Sequence, residues 1–317
     1  MHNQILLSKI QPLRTLVLGG NGFIGSHLVD ALVAQGHQVK VFDRPNTISL
    51  GLNNIQGVEV IEGDLTSEAD IANALMGSEV CFHLISTVLP KSSNLDPVFD
   101  IETNLMGSVK LLNQAVKAGV KKIIFLSSGG TVYGPPLQLP IDEDHPTNPI
   151  CSYGITKLAI EKYLGLYYQL YGLDYTILRL SNPFGERQRI HSVQGAVAVF
   201  LSKVIRKEKI EIWGDGSVIR DYIHISDVVN AMLASINYNA PNRILNIGSG
   251  YGMSLNELLD EIELVIGNKV VRSYTQRRPF DVPANVLAIG RAKEALQWEP
   301  KMAFTEGLQR MLNWLKR

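Results

Sequence analysis

Residues 14–36 read RTLVLGGNGFIGSHLVDALVAQG and place Gly19, Gly22 and Gly25 between an apolar run and an amphipathic stretch. The run has the composition of a buried strand, and the stretch from residue 23 has the spacing of a helix. Glycines at such a turn let backbone N–H groups approach a pyrophosphate, which the N-terminus of the following helix attracts. The segment therefore predicts the strand, phosphate loop and first helix of a dinucleotide-binding domain.

The next two apolar runs each end near a carboxylate. Asp43 closes VKVFD, 18 residues after Gly25, where a carboxylate suits the ribose hydroxyls of adenosine and repels a 2′-phosphate. This position predicts NAD over NADP, although the neighbouring Arg44 weakens the exclusion. Asp64, in GDLT, follows the third run; it either faces the ligand or forms the turn before a helix that starts near Ser67.

Apolar runs and helical patterns alternate over the first 180 residues. The expected strands are Arg14–Leu18, Gln38–Phe42, Val58–Ile61, Val80–Leu84, Lys122–Leu126 and Tyr175–Leu180, and the expected helices cover 23–35, 68–76, 97–118 and 153–171. Strands of this composition, separated by helices, predict a Rossmann-type α/β fold with a doubly wound parallel sheet. After it we expect an irregular section at 181–219, a helix near 226–237, a strand at Ile244–Ile247 and helices from Ser254 and near 304–316.

This order predicts two domains. Residues 1–180 would form the dinucleotide-binding domain, to which a segment of about 219–250 returns, and residues 181–317 a smaller, partly interleaved α/β domain for the substrate. The chain has 30 Lys and Arg against 30 Asp and Glu, which argues against a nucleic-acid-binding protein. Residues 151–317 hold 21 of the basic and 16 of the acidic residues, so we expect this half to bind an anion.

The two cysteines, Cys81 and Cys151, form no CxxC motif or Cys/His cluster. We therefore expect no metal site, no disulfide and a reducing compartment. No apolar run is long enough to span a membrane, and the N-terminal residues lack the pattern of a secretion signal. These observations predict a cytoplasmic protein.

Tyr153 and Lys157 lie four residues apart in SYGITKLAIEKYL and so share one face of a predicted helix. A phenol is a poor base at neutral pH, but a nearby ammonium lowers its pKa and lets the oxygen exchange a proton with a substrate alcohol. The same lysine can hold a nicotinamide ribose. The alternative is that Tyr153 and Lys157 are a non-functional pair on an exposed helix face. Their position just after the predicted strand KIIFLSS disfavours this alternative.

Seven motifs now occur in order: GGNGFIGS, GDLT, SSGGTVYG, YGITK, NPFG, RDYIHISD and RRPFDVPAN. Together they resemble the extended short-chain dehydrogenase/reductase family, in particular its NAD-dependent nucleotide-sugar epimerases and dehydratases. The resemblance implies that Tyr153 is the catalytic acid/base and Lys157 its partner. It implies an NAD site formed by Gly19, Gly22, Phe23, Ile24, Gly25, Asp43, Arg44, Asp64, Leu65, Leu84, Ile85, Ser86, Asn104, Ser127, Tyr153, Lys157 and Ser181. It assigns the nucleotide sugar to Asn182, Arg220, Arg278, Asp281 and Asn285.

Four positions depart from the pattern or refine it. Gly129 stands where relatives carry a Ser or Thr that binds the reacting hydroxyl, so Ser127, Ser128 or Thr131 is expected to replace it, with Ser128 the first choice by proximity. Gly130 and Thr131 stand where dehydratases carry acidic residues, which disfavours dehydration. Asn285 stands where some 4-epimerases carry a bulky Tyr, so an N-acetylated sugar is expected to fit.

The resemblance thus implies a nucleotide-sugar 4-epimerase that retains NAD and forms a transient 4-keto sugar. UDP-GlcNAc/UDP-GalNAc or UDP-Glc/UDP-Gal are the expected substrates, in polysaccharide biosynthesis. A homodimer is expected to form through the helices at 97–118 and 153–171. A nucleotide-sugar 4-ketoreductase or dehydrogenase is the alternative, and a non-catalytic NAD-binding protein a more distant one.

Overall fold

A computed structural model describes residues 11–45, 47, 57–90, 92–189, 195–276 and 282–316. Its strands are β1 (Arg14–Leu18), β2 (Gln38–Asp43), β3 (Val58–Glu62), β4 (Val80–His83), β5 (Lys122–Ser128), β6 (Asp174–Leu180), β7 (Asn182–Phe184), β8 (Ile210–Trp213), β9 (Ile219–His224), β10 (Ile244–Ile247), β11 (Gly252–Ser254), β12 (Arg272–Thr275) and β13 (Ala284–Asn285). Its helices are α1 (Phe23–Ala34), α2 (Glu68–Leu75), α3 (Pro97–Asp100), α4 (Gly107–Ala118), α5 (Ser152–Tyr171), α6 (Ala196–Ile205), α7 (Ile225–Ala234), α8 (Leu255–Ile266), α9 (Gly290–Leu296) and α10 (Phe304–Leu315). A π-helical turn (Ile101–Met106) joins α3 to α4.

Within the described residues, seven strands form one parallel sheet in the order β10-β6-β5-β4-β1-β2-β3. The predicted doubly wound α/β fold is therefore confirmed. The strand order reverses between β1 and β4, and ligands of such sheets bind at the carboxyl ends of the strands beside this reversal. The glycine loop after β1 and the segment after β4 both lie there.

Both faces of the sheet are buried at its central strands, as their apolar composition predicts. On β1 the alternation is strict: Val17 belongs to the core under α1 and α7, whereas Leu16 and Leu18 belong to the core under α2, α4 and α5. Because successive side chains of a strand point to opposite faces, a strand covered on both sides must be apolar throughout. The central strands of the sheet can therefore be predicted from their apolar runs.

The prediction of an irregular section at 181–219 is wrong, because this stretch contains β7, α6 and β8. Helix α6 contributes Val197, Ala198 and Leu201 to a third core, which α8 and α10 complete. The short strands β7, β9, β11 and β13 pair in a second sheet, and β8 pairs with β12. Strands of three or four residues are too short to show a period, and α6 is enclosed by glycines and basic residues that suggest a loop.

The chain leaves the main sheet after β6 and returns to it at β10, where Ile244 pairs in register with Ile177. The strand that precedes this return, β9, belongs to the second sheet. No helix in the described part of the chain is long and apolar enough to cross a membrane. Within the same residues, no cluster of three or more His, Cys, Asp or Glu side chains could hold a metal ion.

A buried ion pair connects α5 to the sheet. Arg179 on β6 donates to the Glu161 carboxylate through Nη2, at 2.6 Å from Oε2, and through Nε. Both side chains are almost fully buried, with exposed fractions of 3% and 1%. Ser127 on β5 donates to the same carboxylate at 2.5 Å. This network fixes the orientation of α5 against the strands that carry the site.

Replacing Glu161 with Gln should lower the free energy of unfolding by about 3–5 kcal/mol, because the Arg179 guanidinium would remain buried without a compensating charge. Urea denaturation of the variant and the wild type measures this difference. Arg206→Gln is the matched control, since Arg206 pairs with Glu208 at the exposed surface and its loss should change nothing measurable. Equal stabilities of Glu161→Gln and wild type would contradict the structural role of the pair.

Candidate active site

The glycine loop brings the start of α1 directly against the end of β1. Gly19 has a φ of +83°, a conformation that residues with a side chain rarely adopt. A Cβ at Gly25 would overlap the carbonyl oxygen of Gly19 and lie 2.7 Å from the Cα of Gly20. Gly22 is the N-cap of α1, and no side chain caps the helix there. The first-turn N–H groups are thus left for an anion, and this cradle fits the diphosphate of a dinucleotide.

Asp43 lies at the end of β2, next to the same loop. Its Oδ2 accepts a hydrogen bond from the backbone N–H of Asn21 at 3.1 Å, and its Oδ1 accepts one from the N–H of Arg44 at 2.9 Å. The contact with Asn21 places the carboxylate beside the loop, where a ribose attached to the diphosphate would extend. The side chain of Arg44 is exposed.

Asp64 forms a turn at the end of β3. Its Oδ1 accepts from the N–H and the hydroxyl of Thr66, at 2.7 and 2.6 Å, and these bonds lower the pKa of Asp64. The N-cap of α2 is Ser67, which accepts from the N–H of Asp70. Asp64 is exposed, whereas the adjacent Leu65 is buried. These contacts show Asp64 in its role as a turn residue, and its role in cofactor binding stays a prediction.

The segment after β4 borders the glycine loop. The N–H of Leu84 donates to the carbonyl of Leu18, and a Cβ at Gly19 would lie 3.4 Å from Ile85. The side chain of Asn104 holds the next residue of this segment: its Oδ1 accepts from the N–H of Thr87 at 2.9 Å, and its Nδ2 donates to the Thr87 hydroxyl at 2.7 Å. Asn104 therefore fixes the path of the segment that contains Leu84, Ile85 and Ser86.

Tyr153 and Lys157 lie in the first two turns of α5, at the carboxyl ends of β4 and β5. The Nζ of Lys157 is 5.7 Å from the centroid of the Tyr153 ring. It donates to the carbonyl of Leu126 at 3.0 Å and lies 4.6 Å from the centroid of the Phe125 ring. Lys157 is buried and Tyr153 half-buried, so the pair is not an exposed helix pair.

The predicted lowering of the Tyr153 pKa by Lys157 is wrong. Burial raises the pKa of Tyr153 to about 12, Cys151 and Asp100 raise it further, and the nearby hydroxyls of Ser86 and Ser128 oppose the shift. Burial also lowers the pKa of Lys157 to about 8. The ammonium donates to the Leu126 carbonyl, and within the described residues no hydrogen bond joins it to the phenol oxygen.

The loop after β5 explains the glycine where a hydroxyl residue was expected. A Cβ at Gly129 would lie 2.6 Å from Cδ1 of the buried Leu287, so a side chain there would require Leu287 to move. Asn285 is buried and donates through Nδ2 to the carbonyl of Gly129 at 3.1 Å. Of the hydroxyls expected to replace the missing one, that of Ser128 is close enough to the Tyr153 phenol to lower its pKa. The Thr131 hydroxyl is buried without a partner among the described residues.

The remaining predicted residues lie around this loop. The Ser127 hydroxyl donates its hydrogen bond to Glu161. The buried Ser181 hydroxyl, directly after β6, has no partner among the described residues. Arg220 on β9 pairs in register with Asn285 on β13, and Asn182 on the adjacent β7 donates to the carbonyl of Asp221 at 3.0 Å. Two further predicted residues, Arg278 and Asp281, lie outside the described residues.

The sequence analysis missed the contacts that hold the first turn of α5. The N-cap residue, Cys151, makes no side-chain capping bond. Instead, Asn94 Oδ1 accepts from the N–H of Ser152 at 2.8 Å, and Ser93 Oγ accepts from the N–H of Tyr153 at 3.0 Å. Ser152 in turn donates to the buried Asp100. The polar run SSNLD offered a signal, but nothing in it indicated a contact with a helix almost 60 residues further on.

A glycine loop, a carboxylate beside it and a Tyr-x-x-x-Lys helix on one parallel sheet define the short-chain dehydrogenase/reductase class. The NAD dependent epimerase/dehydratase family model matches residues 15–248. The chain belongs to this family, and its cofactor is NAD. Both sequence-based predictions are thus confirmed.

Known proteins of this family resemble the chain over nearly its whole length. The UDP-glucose 4-epimerase of Mycolicibacterium smegmatis is 36% identical over 313 residues, which cover 96% of this chain and 99% of the relative. The crystal structure of the Thermotoga maritima UDP-glucose 4-epimerase with UDP-glucose is 36% identical, with a TM-score of 0.91 and coverages of 96% and 99%. The UDP-N-acetylglucosamine 4-epimerase of Methanobrevibacter ruminantium, solved with UDP-N-acetylmuramic acid, is 30% identical, with a TM-score of 0.91 and coverages of 97% and 99%.

Gly25→Ala should impair NAD binding, because its methyl group would overlap the Gly19 carbonyl and force the loop apart. We expect a loss of about 1–3 kcal/mol in stability and protein purified with little NAD. The measurement is the NAD(H) released on denaturation, per mole of protein. Gly290→Ala is the matched control, since its Cβ would meet no atom within 4 Å. A Gly25→Ala protein with full NAD content would contradict the proposed geometry of the loop.

Proposed function

We propose that this chain is an NAD-dependent nucleotide-sugar 4-epimerase that acts on UDP-linked hexoses. The observation that carries the proposal is the half-buried Tyr153 phenol, one helical turn from the buried Lys157, on the same parallel sheet as a glycine loop that fits a dinucleotide. Family membership and the similarity to 4-epimerases over 95% of the chain or more support it. UDP-Glc/UDP-Gal and UDP-GlcNAc/UDP-GalNAc are the candidate substrate pairs.

The cofactor would lie along the carboxyl edge of the sheet. Gly19, Gly22 and Gly25, with the N–H groups of Phe23 and Ile24, would hold the diphosphate, and Asp43 the adenosine ribose. Further residues proposed to line this site are Arg44, Asp64, Leu65, Leu84, Ile85, Ser86, Asn104, Ser127, Lys157 and Ser181. Residues 1–180 together with β10 would form this domain.

The nucleotide sugar would lie on the second sheet, across from Tyr153. We propose that Arg220 and Asn182 bind its diphosphate, and that Asn285 faces the sugar. The Oδ1 of Asn285 is buried without a partner among the described residues, so it can accept a hydrogen bond from a hydroxyl or an acetamido N–H. Arg278 and Asp281 are further candidates on sequence alone.

In the proposed reaction, Tyr153 exchanges a proton with the oxygen on C4 of the sugar. A phenol with a pKa of about 12 is protonated at neutral pH, the form that returns a proton to a 4-keto sugar. To take up the proton in the other half-reaction, the phenol needs a hydrogen-bond donor and positive charge nearby. Ser128 supplies the donor, with Thr131 as the second candidate, and Lys157 the charge. Held in this site, NAD would supply hydride chemistry at C4, as the acceptor in one half-reaction and the donor in the other.

We also propose a homodimer that forms through α3, α4 and α5. These helices and the π-helical turn between α3 and α4 expose apolar side chains at Val98, Ile101, Met106, Leu166 and Leu170. Where exposed apolar side chains adjoin, they typically mark a protein interface. The free thiols of Cys81 and Cys151 support a reducing, cytoplasmic location, and the products would serve polysaccharide biosynthesis.

Tyr153→Phe should reduce interconversion of UDP-glucose and UDP-galactose, or of their N-acetylated forms, by at least about 100-fold, because it removes the proton-transferring hydroxyl. NMR of the reaction mixture measures the interconversion. The NAD(H) content of the variant should equal that of the wild type, which serves as the control for folding. If the wild type is purified without NAD and reduces a 4-keto sugar only with added NADH or NADPH, the protein is a ketoreductase and the proposal is wrong.

Leu166→Glu should convert the dimer into a monomer, because it places a charge in the centre of the proposed interface. Analytical ultracentrifugation measures the mass. Val271→Glu is the control: it introduces the same charge at another exposed apolar position, outside these helices, and should leave a dimer. A monomeric wild type would refute the proposed assembly.

A further inference from the structure

Asp100 is a buried carboxylate next to the proposed catalytic pair. It is the last residue of α3 and has no exposed surface. Its Oδ2 accepts a hydrogen bond from the Ser152 hydroxyl at 2.7 Å, and its Oδ1 accepts one from Nδ2 of Asn104 at 2.9 Å. Among the described residues no Lys or Arg forms a direct ion pair with it. A buried charge without a direct partner is costly, so its neighbours must compensate it.

The contacts of Asp100 connect two elements of the site. Ser152 is the first residue of α5 and precedes Tyr153, while Asn104 lies in the π-helical turn and holds Thr87 in the segment after β4. Ser93 and Asn94, a few residues before Asp100, cap the N–H groups of Tyr153 and Ser152. The first turn of the catalytic helix is therefore held by side chains from residues 93–104, since its own N-cap contributes none.

The groups around Lys157 indicate which one compensates its buried positive charge. Lys157 has an exposed fraction of 4% and, within the described residues, no carboxylate within ion-pair distance. Five titratable groups besides Asp100 lie around Lys157. They are Cys151 at the N-cap of α5, Tyr153 and Glu161 on α5, Arg179 on β6 and His83 on β4.

Most of these groups are unable to balance the ammonium. Glu161 is committed to Arg179, and burial keeps His83 neutral by lowering its pKa to about 3. Cys151 stays a thiol because burial raises its pKa. Asp100 is the buried carboxylate that remains.

We propose that Asp100 is a positioning residue of the proposed catalytic pair, which fixes the first turn of α5 through Ser152 and supplies the negative charge that keeps Lys157 an ammonium. This inference rests on the roles proposed above for Tyr153 and Lys157. The pKa values support it: burial lowers that of Lys157, and Asp100, ahead of Glu161, opposes this lowering. Removing the Asp100 charge should therefore make Lys157 lose its proton at lower pH.

Asp100→Asn removes the charge while keeping the size of the side chain. The alkaline decline of kcat should begin about 1 pH unit lower than in the wild type, because a buried neighbouring charge typically shifts a pKa by that amount or more. Asp96→Asn is the matched control: it neutralises an exposed carboxylate in the same segment, and its pH profile should equal that of the wild type. If kcat of a folded, NAD-containing Asp100→Asn enzyme declines at the same alkaline pH as in the wild type, Asp100 does not supply the charge that keeps Lys157 protonated.

Ser152→Ala tests positioning without removing a buried charge, and so remains informative if Asp100→Asn does not fold. We expect kcat to fall about fivefold with KM and the alkaline limb unchanged, as for the loss of one hydrogen bond. Amide hydrogen exchange in the first turn of α5 should accelerate in Ser152→Ala and Asp100→Asn, but not in Asp96→Asn. A Ser152→Ala protein with wild-type kcat and exchange would overturn the positioning role. The exchange experiment needs no turnover, so an inactive wild type would refute the proposed function separately.

Discussion

The close approach of Gly25 to the carbonyl of Gly19 is the constraint on which the rest of the site depends. Because no Cβ intervenes, α1 begins directly at the carboxyl end of β1, with its N-terminus open to an anion. The same turn sets the position of Asp43 through Asn21, and Gly19 packs beside Ile85. The diphosphate cradle, the ribose carboxylate and the segment after β4 are therefore arranged around one backbone contact. The reacting residues on α5 lie at the far end of the same edge.

Burial dominates the chemistry at that far end. It raises the pKa of Tyr153 and lowers that of Lys157, so each group is driven toward its neutral form. A phenol and an amine that are both neutral provide little electrostatic assistance for moving a proton from a sugar hydroxyl. The surrounding groups must therefore supply it: hydroxyls of Ser86 and Ser128 at the phenol, and Asp100 near the ammonium. Burial keeps water away from the proposed hydride and proton transfer at C4. It also makes the reactivity of Tyr153 depend on the few polar groups around it.

The sequence predicted those features that depend on local pattern. The apolar run of β1, the glycines of its loop and the spacing of Tyr153 and Lys157 can each be recognised within a few residues, and the structure places them as expected. Contacts between distant segments were not readable. A side chain at Gly129 would require Leu287 to move, and Asp100 meets Ser152 across 52 residues of sequence. The direction of the Lys157 ammonium, toward the Leu126 carbonyl, likewise depends on how α5 packs on β5.

In the proposed epimerase, one retained NAD would accept the C4 hydride of the sugar and return it to the same carbon. A UDP-hexose deuterated at C4 tests it most directly, with NMR and mass spectrometry of the product. The account predicts that the product epimer carries the deuterium at C4 in full, with none exchanged into water and no added cofactor required. Loss of the deuterium to solvent, or its transfer to added NAD, would contradict it.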